Sequence, residues 1–563
     1  MPSQFFGLNI AYTGLLASNA AMNTTSNNIA NVQTEGYSRQ QVTQQAANAL
    51  RVFQTYGCAG AGVETLAIER VRDEFYDGRY WDNNALLGEY DMKQYYMQQL
   101  ETYFDDDGKS TGFKTNFDQL MITGLQALLK DPNSATAKSQ FVGYAGALTD
   151  YFNGMAGNLE KVQKDINQEI KLKVDQINSL AGEIASLNKQ INTIELAGTK
   201  ANELRDRRTL LIDELSKIVD VEVKETPIID ANNENRETGA NRYMVKIAGG
   251  QMLVDGSDYN GLECVARTSY EKVNQTDIDG LYEIYWADGQ KFNLYNASMG
   301  GDLAGLIQMR DGNNGENFSG QVTATGTTTV DGKTHDTVTV KVTKAYLQDL
   351  NKCNLSDQGG ILDLGNQEFY YDSWEYTCEY DANGNATYSY TFTLSDSEKN
   401  PRGITNDRVG KKAEIGTDLS YQGIPYYMNQ MNEWIRTFSQ KFNDILTSGY
   451  SGNGDPGVKM FTGNKATGGE QFLLDDAAKR YDKQEKKNSK VTVKVNDDSY
   501  YRLTAKNFDI LDAMEQDPSL MANRKNASDG VEQNDLLNDL KNLATDKSKM
   551  SFRGNSASEF LQC

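Results

Sequence analysis

Between residues 141 and 194, sixteen apolar side chains follow one another at steps of three or four: Phe141, Tyr144, Leu148, Tyr151, Met155, Leu159, Val162, Ile166, Ile170, Val174, Ile177, Leu180, Ile184, Leu187, Ile191 and Ile194. At 3.6 residues per turn such positions form one stripe, so the spacing predicts a helix from about Thr136 to Leu196. Its length would be roughly 90 Å at about 1.5 Å per residue. A rod of that length exceeds what an ordinary globule needs, and its stripe must be covered by other segments. Lys161, Lys164, Glu169, Lys173, Glu183 and Lys189 occupy the opposite face and read as solvated. Gly198 permits a turn, and Asn202 to Ile218 reads as a further helix.

Candidate covers lie far downstream. Met428, Met431, Ile435, Phe438, Phe442 and Ile445 keep the same spacing, and Asp535 to Leu543 is a shorter helical candidate. Segments more than two hundred residues apart would then form one bundle, with an insertion between them. The insertion reads as β: Thr337 to Val342 and Tyr388 to Leu394 alternate, and Asp-Gly or Asn-Gly turns stand at Asp255, Asp279, Asp288, Asp331 and Asn383. The expected architecture is a multidomain α+β chain with an N-terminal axial helix, a long α-helical coiled-coil or bundle domain made from distant segments, and inserted β-rich outer domains. The expected boundaries are 1–40 for an axial assembly helix and signature turn and 41–220 for the first part of the bundle. Residues 221–422 form the insertion, and 423–563 the helical return with a short β element.

The leader differs from everything after it. Residues 1–34 contain no Asp, Glu, Lys, Arg or His, in a chain that is 24% charged. Phe5, Leu8, Tyr12, Leu15, Met22 and Ile29 fall on steps of three, four or seven, the seam of a helix that packs lengthwise. Small neutral residues fill its other faces, as close approach by copies of the same chain requires. Burying six such side chains returns roughly 9–18 kcal/mol gross, at about 1.5–3 kcal/mol each. Ordering about 25 residues costs roughly 1–2 kcal/mol apiece in backbone entropy. The leader is therefore expected to be disordered alone and helical on assembly, placing it at an axis with the bundle around it and the β domains outermost.

Composition excludes several classes. With 56 basic and 78 acidic side chains the net charge is −22, which repels phosphate backbones, so no nucleic-acid partner is expected. The five cysteines, Cys58, Cys264, Cys353, Cys378 and Cys563, form no C-x-x-C pair and are odd in number, so no zinc or disulfide framework follows. Asn, Thr and Ser interrupt the N-terminus too often for a cleavable signal peptide, and no run is apolar enough for membrane insertion. Export would then use a non-cleaved route.

Catalytic, metal and cofactor motifs fail on spacing. His335 lacks convergent partners and reads as an exposed strand residue. Gly108-Lys109-Ser110 would need its first phosphate-loop glycine at Tyr103. Asp105, Asp106 and Asp107, and Asp381 with Asn383 and Asn385, lack calcium-loop spacing and read as turns. No catalytic, metal or cofactor-binding residue is expected. Trp374 and Tyr371 could stack on a sugar, but read more simply as core aromatics.

After the seam comes SNNIANVQTEGYSRQQV, which resembles the N-terminal signature of the rod, hook and hook-associated proteins of the bacterial flagellum. The matching residues are Asn27, Asn28, Ile29, Ala30, Asn31, Thr34, Gly36, Tyr37 and Arg39. The Asn-rich stretch suits a helix end, Gly36 a positive φ, and Tyr37 an anchor for the following strand. GAGVETLAIERVRDEF is similar to a stretch of the FlgK family, through Gly60, Gly62, Val63, Ile68, Arg70 and Asp73. ANELRDRRTLLIDELSKIVDVEV resembles that family's A-N-x-L-x-D-x-R-D-x-L helix, with Arg208 where an acid is usual, a departure expected to sit on a solvated face. GGQMLVDG from Gly249, GGDLAGLIQMRDG from Gly300 and GIPYYMNQMNEWIRTFSQKFN from Gly423 resemble FlgK stretches in order, to about Ser558.

The resemblance implies a structural, non-enzymatic subunit joining flagellar hook to filament, outside the cell. It would assemble by helix packing after passing the flagellar type III export apparatus. Implied partners are copies of itself in a ring or tube, hook protein below, the next hook-associated protein above, the export apparatus and an export chaperone. A C-terminal amphipathic helix pairing with the N-terminal one is also implied, and the sequence ends at SASEFLQC where it should begin. Either the sequence is a fragment or that half is absent, and in the second case assembly is expected to be defective. The alternatives are a hook or distal rod protein, or a secreted surface adhesin or enzyme using the β insertion.

Overall fold

The computed structural model describes residues 5–51, 58–104, 106, 112–230, 233–466, 468–474, 486–496 and 498–562. The fold is multidomain α+β, in two compact units. Unit one comprises Met1–Lys93, Glu169–Val265 and Glu283–Leu306; unit two comprises Gln94–Gln168, Ala266–Tyr282 and Ile307–Cys563. The expected 221–422 insertion is thus shared between the units.

In unit one, helix α1 (Phe6–Ala30) is followed by strands β1 (Gln40–Ala46) and β2 (Val63–Arg70), paired antiparallel with Val42 opposite Ile68. Helix α2 (Glu74–Phe104) contributes its residues up to 93. Helix α3 (Ala135–Glu195) matches the long seam to within a residue at each end, and helix α4 (Asn202–Ile218) has the expected bounds. Gly198 between them has φ +85°. Strands β3 (Val221–Asp230), β4 (Asn233–Ile247), β5 (Gln251–Asp255) and β6 (Asp258–Tyr259) form a sheet in sequential order.

The unit-one half of α3 buries Ile170, Val174, Ile177, Ile184, Leu187 and Ile191. Its asparagines join the surrounding β segments by standing in for a neighbouring strand. Asn178 donates to the Leu262 carbonyl at 2.8 Å and accepts from the Leu262 amide at 2.8 Å. Asn192 does the same with Asn241, at 2.9 Å both ways. Lys173, expected on a solvated face, pairs at 2.7 Å with the buried Asp302.

In unit two, helix α6 (Ile424–Thr447) is numbered after the short helix α5 (Gly301–Asp311), and helix α7 is Asp535–Leu543, as expected. Met428, Met431, Ile435, Phe438 and Phe442 on α6 are buried. Trp434 organises the core, stacked 4.5 Å from Phe438 and 5.1 Å from Phe152, with Phe113 edge-on at 5.2 Å. Some seam positions shift: Tyr144, Tyr151 and Ile445 are half-exposed and Ile194 is exposed, while Phe152, Leu446 and Glu195 are buried. A straight helix drifts relative to a strict heptad, so the buried stripe moves onto the neighbouring residue.

The β part of unit two is a barrel. Strands β7 (Phe318–Val330), β8 (Lys333–Val342), β9 (Gly360–Leu364), β10 (Glu368–Tyr380), β11 (Ala386–Leu394) and β12 (Lys412–Ile415) pair in the order β9-β12-β7-β8-β11-β10. Pairing of β9 with β10 closes it, and β13 (Ser489–Lys494), from beyond residue 422, adds to β10. The predicted turns are present: Gly256, Gly280, Gly289, Gly332 and Gly384 all have positive φ. Asp331 and Gly332, at φ +51° and +79°, make the two-residue β7–β8 turn whose twist matches its strands.

One buried charge cluster of unit two centres on Asp311. The Arg310 guanidinium meets Asp311 at 2.6 Å, the Asn167 amide oxygen at 3.0 Å and the Tyr282 carbonyl at 2.8 Å. Arg267 reaches the same carboxylate at 3.0 Å. Burial pushes the Asp311 pKa up, but the two guanidinium charges outweigh it and hold the carboxyl below the usual range.

Candidate functional site

The candidate site is the leader helix and its mounting in unit one. Within α1 only Ala17 and Thr24 are buried. The seam residues Phe5, Leu8, Tyr12, Leu15, Met22 and Ile29 are 56–69% exposed. The small residues instead face the β1–β2 hairpin: Gln44 Nε2 donates to the Ala17 carbonyl at 3.0 Å, and the Val63 amide donates to Thr13 Oγ1 at 3.4 Å. Gly62, at φ +101°, lies so close to Thr13 that a Cβ would run into its hydroxyl. The leader is therefore helical in the single chain, where burial of its seam alone predicts disorder. Hydrogen bonds and small-residue packing on the hairpin hold it, while the apolar face that motivated that expectation stays uncovered.

The signature residues knot the end of α1 to β1. Asn28 Oδ1 accepts from the Tyr37 hydroxyl at 2.9 Å and from the Gln40 amide at 2.9 Å, and its Nδ2 donates to the Gln40 carbonyl at 2.9 Å. Asn27 Nδ2 reaches the Tyr37 hydroxyl at 3.3 Å. Asn31 donates to the Asn27 carbonyl at 3.0 Å and accepts from Thr34 Oγ1 at 3.2 Å. Gly36, at φ +74°, turns the chain over Leu210 of α4. Ile29, Ala30 and Arg39 are exposed, and the Arg39 carbonyl accepts from the Val71 amide at 2.8 Å. Burial raises the Tyr37 pKa, helped by the Glu203 and Asp206 charges.

Helix α4 backs this knot. Asp206 accepts from the Ser38 amide at 2.9 Å and from Arg70 at 3.2 Å. Glu203 accepts from Gln40 Nε2 at 3.1 Å, and Asn202 donates to the Ile68 carbonyl at 2.8 Å. Asp73 starts α2 by accepting from the Phe75 amide at 3.0 Å. Arg208 is not on a solvated face: it is 2% exposed, bonded to Asn188 Oδ1 at 2.9 Å and to Glu225 at 3.0 Å, with its guanidinium 3.5 Å from the Tyr243 ring centroid. Burial lowers its pKa, and the neighbouring Tyr243 and Glu225 oppose that. An acid elsewhere in the family pattern gives no hint of this, because the stacking ring and the carboxylate arrive from β3 and β4.

Sequence periodicity also misses a second apolar surface. Phe75, Tyr76, Tyr80, Leu86, Leu87 and Tyr90 of α2 are more than half exposed, while Trp81 and Ala85 of the same helix are buried. A helix apolar on both sides shows no single stripe.

The remaining candidates fall away from any site. Trp374 and Tyr371 are buried in the barrel core, the indole donating to the Ser356 carbonyl at 2.8 Å. His335 lies on β8 but is half-buried, 3.0 Å from the Leu394 carbonyl, because β11 runs alongside. Asp381 caps its hairpin turn by accepting from the Asn383 and Asn385 amides at 2.8 Å each. Asp106 accepts from Thr115 Oγ1 at 2.9 Å, whereas Asp105, Asp107, Gly108-Lys109-Ser110 and Cys563 lie outside the described residues. Among the described residues no group of three or more His, Cys, Asp or Glu side chains could hold a metal ion, and no helix is long and apolar enough to cross a membrane.

Residues 8–37, which hold most of the seam and the signature, match the family model described as flagella basal body rod protein. Residues 97–331, which include α3, α4 and the four-stranded sheet, match the flagellar hook-associated protein FlgK helical domain. Over these two stretches the chain is similar to the FlgK family. Flagellar hook-associated protein 1 of Bacillus subtilis is 36% identical to this chain over 231 residues, 40% of this chain and 45% of the relative. The Escherichia coli protein of the same name is 31% identical over 264 residues, 46% of this chain and 44% of the relative. The chain thus spans under half the length of the curated relatives it matches. A solved structure of the flagellar hook junction protein FlgK from Burkholderia pseudomallei aligns over 87% of this chain and 94% of that one. Its TM-score of 0.40 and 14% identity are too low to bear on the fold.

Proposed function

We propose that the chain is a structural subunit of the bacterial flagellum that joins hook to filament and has no enzymatic activity. The observation that carries this reading is the uncovered seam of α1, six apolar side chains 56–69% exposed on a charge-free helix, in a chain with the FlgK helical domain. Exposed apolar faces of this kind mark surfaces completed by other chains. The outward aromatics of α2 support the same reading. Residues 1–40 are the assembly segment, and the partners are copies of the chain in a ring or tube, with hook protein below and the next hook-associated protein above.

The subunit would pass the flagellar export apparatus, helped by an export chaperone and without a cleaved signal, and act outside the cell. The adhesin alternative draws no support from Trp374 or Tyr371, which the barrel core encloses. Electron microscopy of cells lacking the gene tests the reading. Hooks without filaments, with flagellin released to the medium, are expected; normal filaments would overturn it.

A further inference from the structure

We infer that α4 is the socket that sets the direction of α1, with Asp206 and Glu203 as positioning residues for assembly. The inference rests on α1 being the assembly segment, and its evidence is a continuous hydrogen-bonded path. Asp206, 5% exposed, takes the buried Ser38 amide on Oδ2 at 2.9 Å and Arg70 on Oδ1 at 3.2 Å, so both its oxygens are committed. One turn earlier on α4, Glu203 takes the Gln40 side chain at 3.1 Å. The Gln40 peptide clamps Asn28 through its amide and its carbonyl, both at 2.9 Å, and Asn28 lies two residues before the end of α1. Asn202 fixes the second strand through the Ile68 carbonyl at 2.8 Å. Gly36 seats the intervening turn on Leu210. Asp206, Asn28 and Asn202 make fixed-geometry bonds to peptide groups, to which Glu203 adds one side-chain bond and Gly36 a packing contact, so α4 constrains direction as well as attachment.

Direction matters because α1 is a lever. Its 25 residues span roughly 37 Å, and a swing of about 15° at the Asn28 end would carry the Phe6 end by about 10 Å, close to a whole helix diameter. Ties further along run to the hairpin itself, from Ala17 to Gln44, Thr13 to Val63 and Gly62 against Thr13, so helix and hairpin would swing together about their base on α4. Interdigitation of heptad-spaced side chains tolerates no such error. The family-typical A-N-x-L-x-D stretch is here the mounting for the leader, 163 and 168 residues away in sequence at its Glu203 and Asp206 contacts.

The test measures direction separately from stability. Spin labels are placed through unnatural amino acids at Asn9 on α1 and Lys189 on α3, both exposed, leaving the cysteines untouched. The distance distribution is then measured by pulsed electron resonance in the full chain, for wild type, Asp206→Asn and Glu203→Gln, with Asn28→Ala as an independent break of the path. Asp206→Asn keeps the shape but turns one acceptor into a donor facing a donor. Expected is at least a twofold broadening in each variant, with helicity by circular dichroism and the barrel's hydrogen exchange unchanged. A rise of at least tenfold in the critical concentration for self-assembly should accompany it. Distributions that superimpose on wild type in Glu203→Gln and Asn28→Ala would overturn the inference, even if Asp206→Asn failed to fold. Broadening with unaltered self-assembly would uphold the socket and instead overturn the assembly role of α1.

Discussion

Replacing Arg208 by Ala removes a buried cation that joins α4 to the unit-one sheet. Three contributions are lost: a charge-assisted hydrogen bond to Glu225 at 3.0 Å, one to Asn188 at 2.9 Å, and the guanidinium over Tyr243 at 3.5 Å. Bonds involving a charged group contribute about 1.5–3 kcal/mol each, and a desolvated cation–π contact about 2 kcal/mol. The loss is partly offset, because Glu225 keeps Arg205 at 2.9 Å; Asn188 keeps its donor bond to the Gly256 carbonyl at 2.7 Å but loses the partner of its Oδ1. Neither partner is left as an orphan charge, so the cost should be about 3–4 kcal/mol, at the low end for breaking a buried pair. Lys at 208 keeps the charge but not the planar fork or the stacking, and should recover roughly half. Two units make a single unfolding free energy ill-defined. Hydrogen exchange read locally on residues 202–218 and 238–247 avoids that problem. At about 1.4 kcal/mol per tenfold, Arg208→Ala should speed exchange there by roughly 150-fold or more. Acceleration under threefold would refute the reasoning and return Arg208 to a solvated face.

Asp311→Asn should cost unit two about 3–5 kcal/mol at pH 7, because it strands Arg267 and Arg310. A carboxylate whose pKa is depressed on folding adds stability above its unfolded pKa of about 3.9 and loses it as pH falls through the native value. The wild-type advantage in hydrogen exchange of residues 266–282 should therefore narrow below pH 4, and an advantage constant from pH 7 to pH 3 would contradict the pairing. Gly62→Ala places a Cβ against Thr13 at φ +101° and should cost about 1–3 kcal/mol locally, seen as faster proteolysis within residues 5–35 and an unchanged barrel. Trp434→Ala empties the centre of the unit-two aromatic core and should cost about 3–5 kcal/mol. Trp434→Phe should lose about 1 kcal/mol with the bond to the Ala557 carbonyl, the pair being compared by local hydrogen exchange of residues 424–447.

Local order is readable where one period dominates. The α4 and α7 bounds, the α3 rod and the five glycine turns follow from spacing and turn chemistry, which act over a few residues. α2 escapes because Tyr80 and Leu87 face outward while Trp81 and Ala85 face inward, which blurs any stripe. Barrel order is hidden for another reason: β9 joins β12, and β10 receives β13, across long stretches of chain. The roles of Asn178, Asn192 and Arg208 depend on backbone and rings that arrive from elsewhere, so nothing near them in sequence announces them. At the candidate site, the apolar spacing of α1 and a helix end in the Asn-rich stretch were legible from residue type and spacing, whereas the Asn28–Tyr37 bond was not. The Asp206–Ser38 link joins segments 168 residues apart and was not.

Hydrogen exchange of residues 6–30, compared between free and self-assembled protein, tests most directly whether the exposed face of α1 is made for neighbouring chains. Exchange is expected to be faster than in the barrel in the free chain, where only Ala17 and Thr24 of the helix are buried, and to slow by at least a hundredfold on assembly while the barrel stays unchanged. Equal, strong protection of α1 in both states would contradict the account.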